Sequence, residues 1–277
     1  MRAAQDIMFR NTNCVNQKSG CSRCLEACPY GAIQVNPSYC GDGVPQLLFD
    51  RRLCNQCPDH PCLDVCYFEG LRLCGDWRSV SEVMHVLHRN RHYWGVDGGV
   101  SFSGGEPLLQ SAFIRAMLQA CQAEKMHTAV ETTAHIRTDT FLELMPLVNF
   151  AFIDVKHMDS LRHKEKTGVA NDLILKNIAA LGGSGWSGRL VLRMPAIPGF
   201  NMDRENIEAV AEFMQKNGLV EINVLPFHRL GDSKWKQLGK EYAYQDCKGS
   251  CEDDLLQIQD YFLERRIACY LGSDTPF

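Results

Sequence analysis

From about Val100 onward, apolar and polar positions fall into two alternating textures: short β-branched runs, and longer stretches whose apolar residues recur at helical spacing. The short runs predict strands at VSFSG (100–104), HTAVETT (127–133), FAFIDVK (150–156), RLVLRMPAI (189–197), VEINVLPF (220–227) and IACYLG (267–272). The longer ones predict helices from Ser111 to Lys125, Thr140 to Leu147, Asn171 to Leu181, Asp203 to Asn217 and Cys251 to Arg266. Asp203 suits a helix N-cap and Gly218 a helix close. Repeated βα units of this kind make a parallel sheet covered by helices. Whether the sheet is doubly wound or curls into a complete or partial barrel is not decided by periodicity.

Residues 1–75 read differently, with scattered turn residues and little sustained helical periodicity. A helical stretch from Ser79 to Arg91 joins the two regions, and HYWGVDGGV (92–100) is expected to be a turn-rich lead-in to the first strand. The change of texture divides the chain into domains at 1–75 and 76–277.

With 277 residues, 45% of them hydrophobic, the chain is long enough to bury a sizeable core. A formal charge of −4 and a pI near 6.1 give no electrostatic reason to expect nucleic acid or an anionic membrane as partner. No apolar run approaches the roughly 20 residues of a spanning helix, and the opening MRAAQDIMFR has no apolar signal-peptide core. The cytoplasm is therefore the default location.

Cysteine changes the picture most. Ten of the fourteen cysteines fall between Cys14 and Cys74, a dense block in a chain without a signal peptide, which reads as metal ligation by thiolates rather than as a disulfide scaffold. The first run is Cys14, Cys21, Cys24 and Cys28 followed by Pro29; the second is Cys54, Cys57, Cys62 and Cys66. CSRCLEACP resembles the runs of bacterial two-cluster ferredoxins, in which the fourth cysteine of each run crosses to the other cluster. That resemblance implies one 4Fe–4S cluster on Cys14, Cys21, Cys24 and Cys66, and another on Cys54, Cys57, Cys62 and Cys28. The loops depart from the ferredoxin spacing, with six residues in the first gap and Tyr67 where the second run's proline would stand. Tetrahedral zinc also takes thiolates, but usually from two separated CxxC knuckles. Cys40, Cys74, Cys121, Cys247, Cys251 and Cys269 are read as ordinary thiols.

In the larger region five motifs follow one another in order: SGGEPLLQ from Ser103, ETT from Glu131, IDVKHMD from Ile153, LRMPAIPGFN from Leu192 and LPFHRLGDSKWKQLGKEY from Leu225. Each lies on or just after a strand candidate, where α/β proteins bind ligands. Taken singly they have plain readings: glycines for a tight turn, Asp154 and Lys156 as an ion pair on one strand face, Arg193 as a surface charge, His228 as a loop histidine. Taken together the series resembles the activating enzymes of glycyl radical enzymes, radical S-adenosylmethionine (SAM) proteins, in the subgroup with a ferredoxin-like insert ahead of SGGEP.

The resemblance implies an α/β fold: a partial (βα)6 radical SAM barrel, with an N-terminal two-cluster ferredoxin-like domain. It implies that Gly104, Gly105 and Glu106 contact the methionyl amine of SAM, and that Asp154 and Lys156 face its ribose and carboxylate. Arg193 and His228 would line the same pocket, with Glu131 and Thr132 near the carboxylate. The SKWKQLGKEY stretch would be a surface segment of a partner-docking region. The implied reaction is reductive cleavage of SAM and hydrogen abstraction from a backbone glycine of a partner enzyme, with flavodoxin or ferredoxin as electron donor.

Radical SAM chemistry also needs a third 4Fe–4S cluster on a CxxxCxxC loop, and none of the fourteen cysteines has that spacing. The opening QDIMFRNTNC resembles the part of family members just downstream of that loop. The expectation is a chain truncated ahead of it, whose barrel lacks its first strand and leaves an open sheet edge. A non-catalytic iron–sulfur electron carrier or partner-binding module is the alternative, and a zinc-stabilised binding protein a third reading.

Overall fold

The two textures separate in space. The computed structural model describes residues 6–41, 44–96, 98–229, 231–242, 244, 246, 247 and 249–275. They form one unit from the residues up to Trp77 together with Arg229–Asp246, and another from Arg78–His228 with the chain from Cys247 onward. Segment 229–246, placed in the larger domain on sequence pattern, thus clusters with the cysteine-rich unit. Gln5 of the opening motif, Asp97 of the lead-in and Leu230 of the fifth motif lie outside the described residues.

The smaller unit runs β1 (Asp6–Phe9), α1 (Asn16–Ser19), α2 (Arg23–Ala27), β2 (Ile33–Val35), β3 (Leu47–Phe49), α3 (Arg51–Cys54), α4 (Pro61–Asp64) and β4 (Leu71–Cys74). Strand β1 pairs antiparallel with β4, and β2 with β3. Its helices are single turns, too short to be stable alone. Their apolar partners are few: Ile7, Phe9, Ile33, Leu47 and Leu71 form the core with Cys24, Cys54 and Cys62. Where caps exist they are local, as at α3, where the Asp50 carboxylate accepts the Arg52 amide at 2.9 Å.

The larger unit begins with α5 (Val80–Asn90), closed at its N-terminus by a capping box between Ser79 and Glu82. Next come β5 (Gly99–Phe102), α6 (Ser111–Ala123), β6 (His127–Thr132), α7 (Thr138–Leu144), β7 (Phe150–Asp154), α8 (Ser160–Thr167), α9 (Asp172–Gly182) and β8 (Arg189–Ala196). Then follow α10 (Arg204–Lys216) and β9 (Glu221–Pro226), α11 (Asp232–Gln237) in the segment belonging to the smaller unit, α12 (Glu252–Glu264) and β10 (Ala268–Leu271). Asp203 caps α10 by accepting the Asn206 amide at 3.0 Å, and Gly218 follows its end at φ +66.

Strands β5 to β10 are all parallel and lie side by side in sequence order. A doubly wound sheet reverses its strand order at a switch point; this one does not. Right-handed crossovers are the rule for such parallel connections, and α6, α7, α9, α10 and α12 pack their apolar residues into one core against the sheet. Among the described residues the sheet has six strands, matching the six runs read as strands, and β10 closes the series by pairing with β9. Strand β5 is an edge strand.

The helix-facing side carries the main core, including Val130, Ile153, Leu192, Val224, Phe141 and Phe262. The opposite, inward face alternates with it: Ala129, Phe150, Phe152 and Val191 pack together there. Polar residues lie on that inward face at both strand ends. Among the described residues no helix is long and apolar enough to cross a membrane.

Candidate functional site

At the C-terminal edge of the sheet the inward positions are Glu131 on β6, Asp154 on β7 and Arg193 on β8, with Lys156 two residues beyond Asp154. Asp154 and Arg193 are direct register partners, and Arg193 Nε donates to Asp154 Oδ1 at 2.8 Å. Its Nη1 lies 3.0 Å from Glu131 Oε2, and Lys156 Nζ lies 3.7 Å from Asp154 Oδ2. Burial alone would disfavour the Arg193 charge, but Asp154 and Glu131 outweigh it and hold the guanidinium pKa above its ordinary value. The cluster is two carboxylates and two cations at a sheet edge, with Phe152 beneath the guanidinium at 5.2 Å.

The SGGEP turn is fastened to the same edge. Glu106 is buried, and its Oε1 accepts the Thr132 hydroxyl at 2.5 Å. Its Oε2 accepts the Thr133 amide at 2.8 Å and the Thr133 hydroxyl at 2.6 Å. Oε1 also takes the Leu108 amide at 3.3 Å, so Glu106 caps the short 3-10 turn that follows it. Gly104 is exposed with φ +123, a backbone state that side chains rarely adopt, and nothing lies within 4 Å of where a Cβ would stand. Gly104 and Gly105 therefore present bare backbone to solvent.

Asn201 is the residue that sequence reasoning left without a role. It is fully buried, its amide donates to Lys156 O at 2.8 Å and Pro195 O at 2.6 Å, and its Oδ1 accepts the Ile197 amide at 2.8 Å. It thereby sets the spacing of the chain leaving β7 and β8. The fourth motif contains it, but an asparagine after PGF looks like a turn residue in sequence. His228 is exposed, two residues past β9, and among the described residues no hydrogen bond or ion pair joins it to the Arg193 cluster.

In the smaller unit, the structure gathers the two four-cysteine sets implied by the crossing pattern. Cys14, Cys21, Cys24 and Cys66 line one cavity; Cys28, Cys54, Cys57 and Cys62 line another. Gln46 builds the first loop: its buried side chain donates to Asn11 O and Cys14 O at 3.0 Å each and accepts the Gln17 amide at 3.0 Å. The two fourth cysteines are treated alike. Cys28 Sγ accepts the Ala32 amide and Cys66 Sγ the Leu71 amide, both at 3.3 Å.

Burial, reinforced by neighbouring cysteines, pushes the Cys24 thiol up to about 11 and the Cys62 thiol up to about 12. All eight cysteines are free thiols, a donor set suited to an iron–sulfur group that displaces the thiol protons on binding. Among the described residues, no three His, Cys, Asp or Glu side chains are placed to hold a single metal ion. Cys40 and Cys74, both exposed, line neither cavity.

The sequence model of the radical SAM superfamily matches residues 64–214. A 4-hydroxyphenylacetate decarboxylase activating enzyme from Clostridioides difficile is 46% identical over 271 residues, 98% of this chain and 84% of the relative. An indoleacetate decarboxylase activating enzyme from Tractidigestivibacter scatoligenes is 32% identical over 269 residues, 96% of this chain and 83% of the relative. Among solved structures, a domain of pyruvate-formate lyase-activating enzyme from Bacteroides vulgatus aligns with TM-score 0.54 at 31% identity, covering 64% of this chain and 99% of that one.

Proposed function

Because the chain belongs to the glycyl radical enzyme activating enzymes of the radical SAM superfamily, we propose that it binds SAM along the C-terminal edge of β5–β9. Its target would be a backbone glycine of an arylacetate decarboxylase. The single observation that carries the SAM site is the continuous polar edge running from the Glu106-fastened glycine turn through Glu131 and Arg193 to Asp154 and Lys156. The decarboxylase as partner rests on the two activating enzymes that match nearly the whole chain, one named for 4-hydroxyphenylacetate and one for indoleacetate.

Within that edge the roles divide by what each group has left to offer. Glu106 has its carboxylate taken up by four donors, so it holds the turn while the Gly104–Gly105 backbone receives the methionyl amine. Arg193 and Lys156 supply positive charge for the methionyl carboxylate, and Asp154 supplies an acceptor for ribose hydroxyls. Glu131 and Asp154 keep Arg193 in place before SAM arrives. His228 joins the pocket only as a rim residue. The barrel reading places this pocket at the open mouth of a partial (βα)6 barrel.

The smaller unit we read as a ferredoxin-like module carrying two 4Fe–4S clusters, one on each cysteine set, and extended beyond residues 1–75 by segment 229–246. When bound, such clusters supply one-electron transfer. SAM cleavage further requires the CxxxCxxC cluster, a spacing the fourteen cysteines do not contain.

The test uses the protein in a form carrying the CxxxCxxC loop, incubated anaerobically with SAM, a low-potential reductant and the partner decarboxylase. The expected products are methionine, 5′-deoxyadenosine and a glycyl radical signal on the partner. Reversible cluster reduction with neither 5′-deoxyadenosine nor the radical would instead support the electron-carrier reading, which the two gathered cysteine sets favour.

A further inference from the structure

The two cysteine sets are not equivalent in exposure. Of the first set, Cys14, Cys21 and Cys66 are half-buried and only Cys24 is buried; of the second, Cys54, Cys57 and Cys62 are buried and only Cys28 is half-buried. Electron transfer weakens steeply with distance through protein, so a group nearer the surface is the one an external redox partner reaches.

The surfaces differ in charge as well. From Arg10 to Cys28, the stretch that wraps the first set carries Arg10, Lys18 and Arg23 against one carboxylate, Glu26. The stretch from Asp50 to Cys66, which wraps the second set, carries two arginines against three aspartates. Beside the first cavity, Tyr67 and Phe68 are 73% and 54% exposed, and the Arg23 guanidinium lies 4.5 Å from the centre of the Tyr67 ring. Exposed Glu69 follows Phe68 in the chain. The second cavity has one exposed aromatic, Tyr30, at 41%.

Resting on the reading of both sets as redox clusters, we propose that Cys14, Cys21, Cys24 and Cys66 form the electron-entry site. Lys18, Arg23 and the Tyr67–Phe68 pair then form the docking surface for a small, acidic electron-carrier protein. Exposed aromatics with a central arginine suit the core of a transient protein interface, and the surrounding cations steer an acidic partner to it. The balance of the step is simple: the carrier loses one electron, the first site gains it, and no proton or group moves.

The probe is a flavodoxin, added to protein reconstituted with iron and sulfide. Oxidised flavodoxin is titrated to give affinity, and reduced flavodoxin is mixed rapidly to give the rate of cluster bleaching, with dithionite as a small-molecule control. In the Lys18→Glu, Arg23→Glu double variant, binding and the flavodoxin-driven rate fall by about tenfold or more, while iron, sulfide and the dithionite rate are unchanged. Arg52→Glu, which reverses an exposed charge beside the second set, behaves as wild type. The proposal is overturned if wild type does not bind flavodoxin, if the double variant binds as wild type, or if Arg52→Glu is the variant that loses binding. A preparation that takes up no acid-labile sulfide defeats the underlying cluster reading instead, and metal analysis shows this before any flavodoxin is added.

Discussion

Glu131 and Arg193 sit on strands that are not neighbours, β6 and β8, yet Oε2 and Nη1 meet at 3.0 Å above the ring of Phe152 on the strand between. Two strand spacings separate their backbones by roughly 9.6 Å in a flat sheet. The lengths of the arginine and glutamate side chains close the gap. Arg193 is therefore held between two carboxylates before any ligand is present.

That preorganisation makes Arg193 sensitive to a substitution that keeps its charge. Arg193→Lys removes the fork that serves Asp154 and Glu131 together. We expect SAM affinity to fall by about tenfold or more, equivalent to about 1.4 kcal/mol, in anaerobic calorimetric titration. Wild-type affinity in this variant would remove Arg193 from the pocket.

Glu106 predicts a stability effect more than a charge effect. Glu106→Gln turns one acceptor oxygen into a donor that faces either the Thr132 hydroxyl or the Thr133 amide and hydroxyl. A loss of about 1–3 kcal/mol in denaturant unfolding is expected, with the larger unit affected first. If the midpoint does not move, the bracket between the glycine turn and β6 contributes nothing.

The parallel strands were legible because each is a β-branched run bounded by turn residues, and β7 (Phe150–Asp154) reads as FAFID in any register. Single-turn helices such as α4 (Pro61–Asp64) were not, since four residues carry no period. The four strands of the smaller unit were missed for the same reason, at three or four residues each. Helix α8 (Ser160–Thr167) was missed because SLRHKEKT is polar on nearly every side, with His163 its only buried residue. The grouping of Cys66 with the first set and Cys28 with the second was legible only through the crossing pattern, because 45 residues separate Cys21 from Cys66 in sequence. Glu106 was legible as a site residue but not its partners: nothing in SGGEP says that its carboxylate is already occupied by ETT.

The crossing ligation has its own test. Cys66→Ala should lower the occupancy of the first site, and Cys28→Ala that of the second, although each cysteine is last in the other run. Spectroscopy that separates two cubes by redox potential, with iron and sulfide counts, reads the difference. If Cys66→Ala depletes the cluster held by Cys54, Cys57 and Cys62, the sets follow sequence order and the crossing assignment is wrong.

At the opposite end of the inward face, Glu221 gives a pH dependence with opposite signs on its two sides. Arg189 Nη2 donates to Glu221 Oε2 at 2.6 Å and the Tyr270 hydroxyl donates to the same oxygen at 2.9 Å. The Arg189 bond is the main reason the Glu221 carboxyl lies below its ordinary range, against the opposing effect of burial. A depressed folded pKa means that the Glu221 contribution is fully present above its unfolded pKa, about 4.3, and fades as pH falls through the folded value. The stability gap between wild type and Glu221→Gln, about 1–3 kcal/mol, should therefore be flat from neutral pH down to about 5 and narrow only in stronger acid. Tyr270 runs the other way. Burial first, and then its bond to Glu221, raise its pKa, so its contribution is full below about 10 and is lost as pH rises through the folded value. The gap between wild type and Tyr270→Phe should stay constant to about pH 10 and then close, as read from paired thermal melts in matched buffers. A Tyr270→Phe gap that already closes near neutral pH would mean that the phenol does not donate to Glu221 in solution.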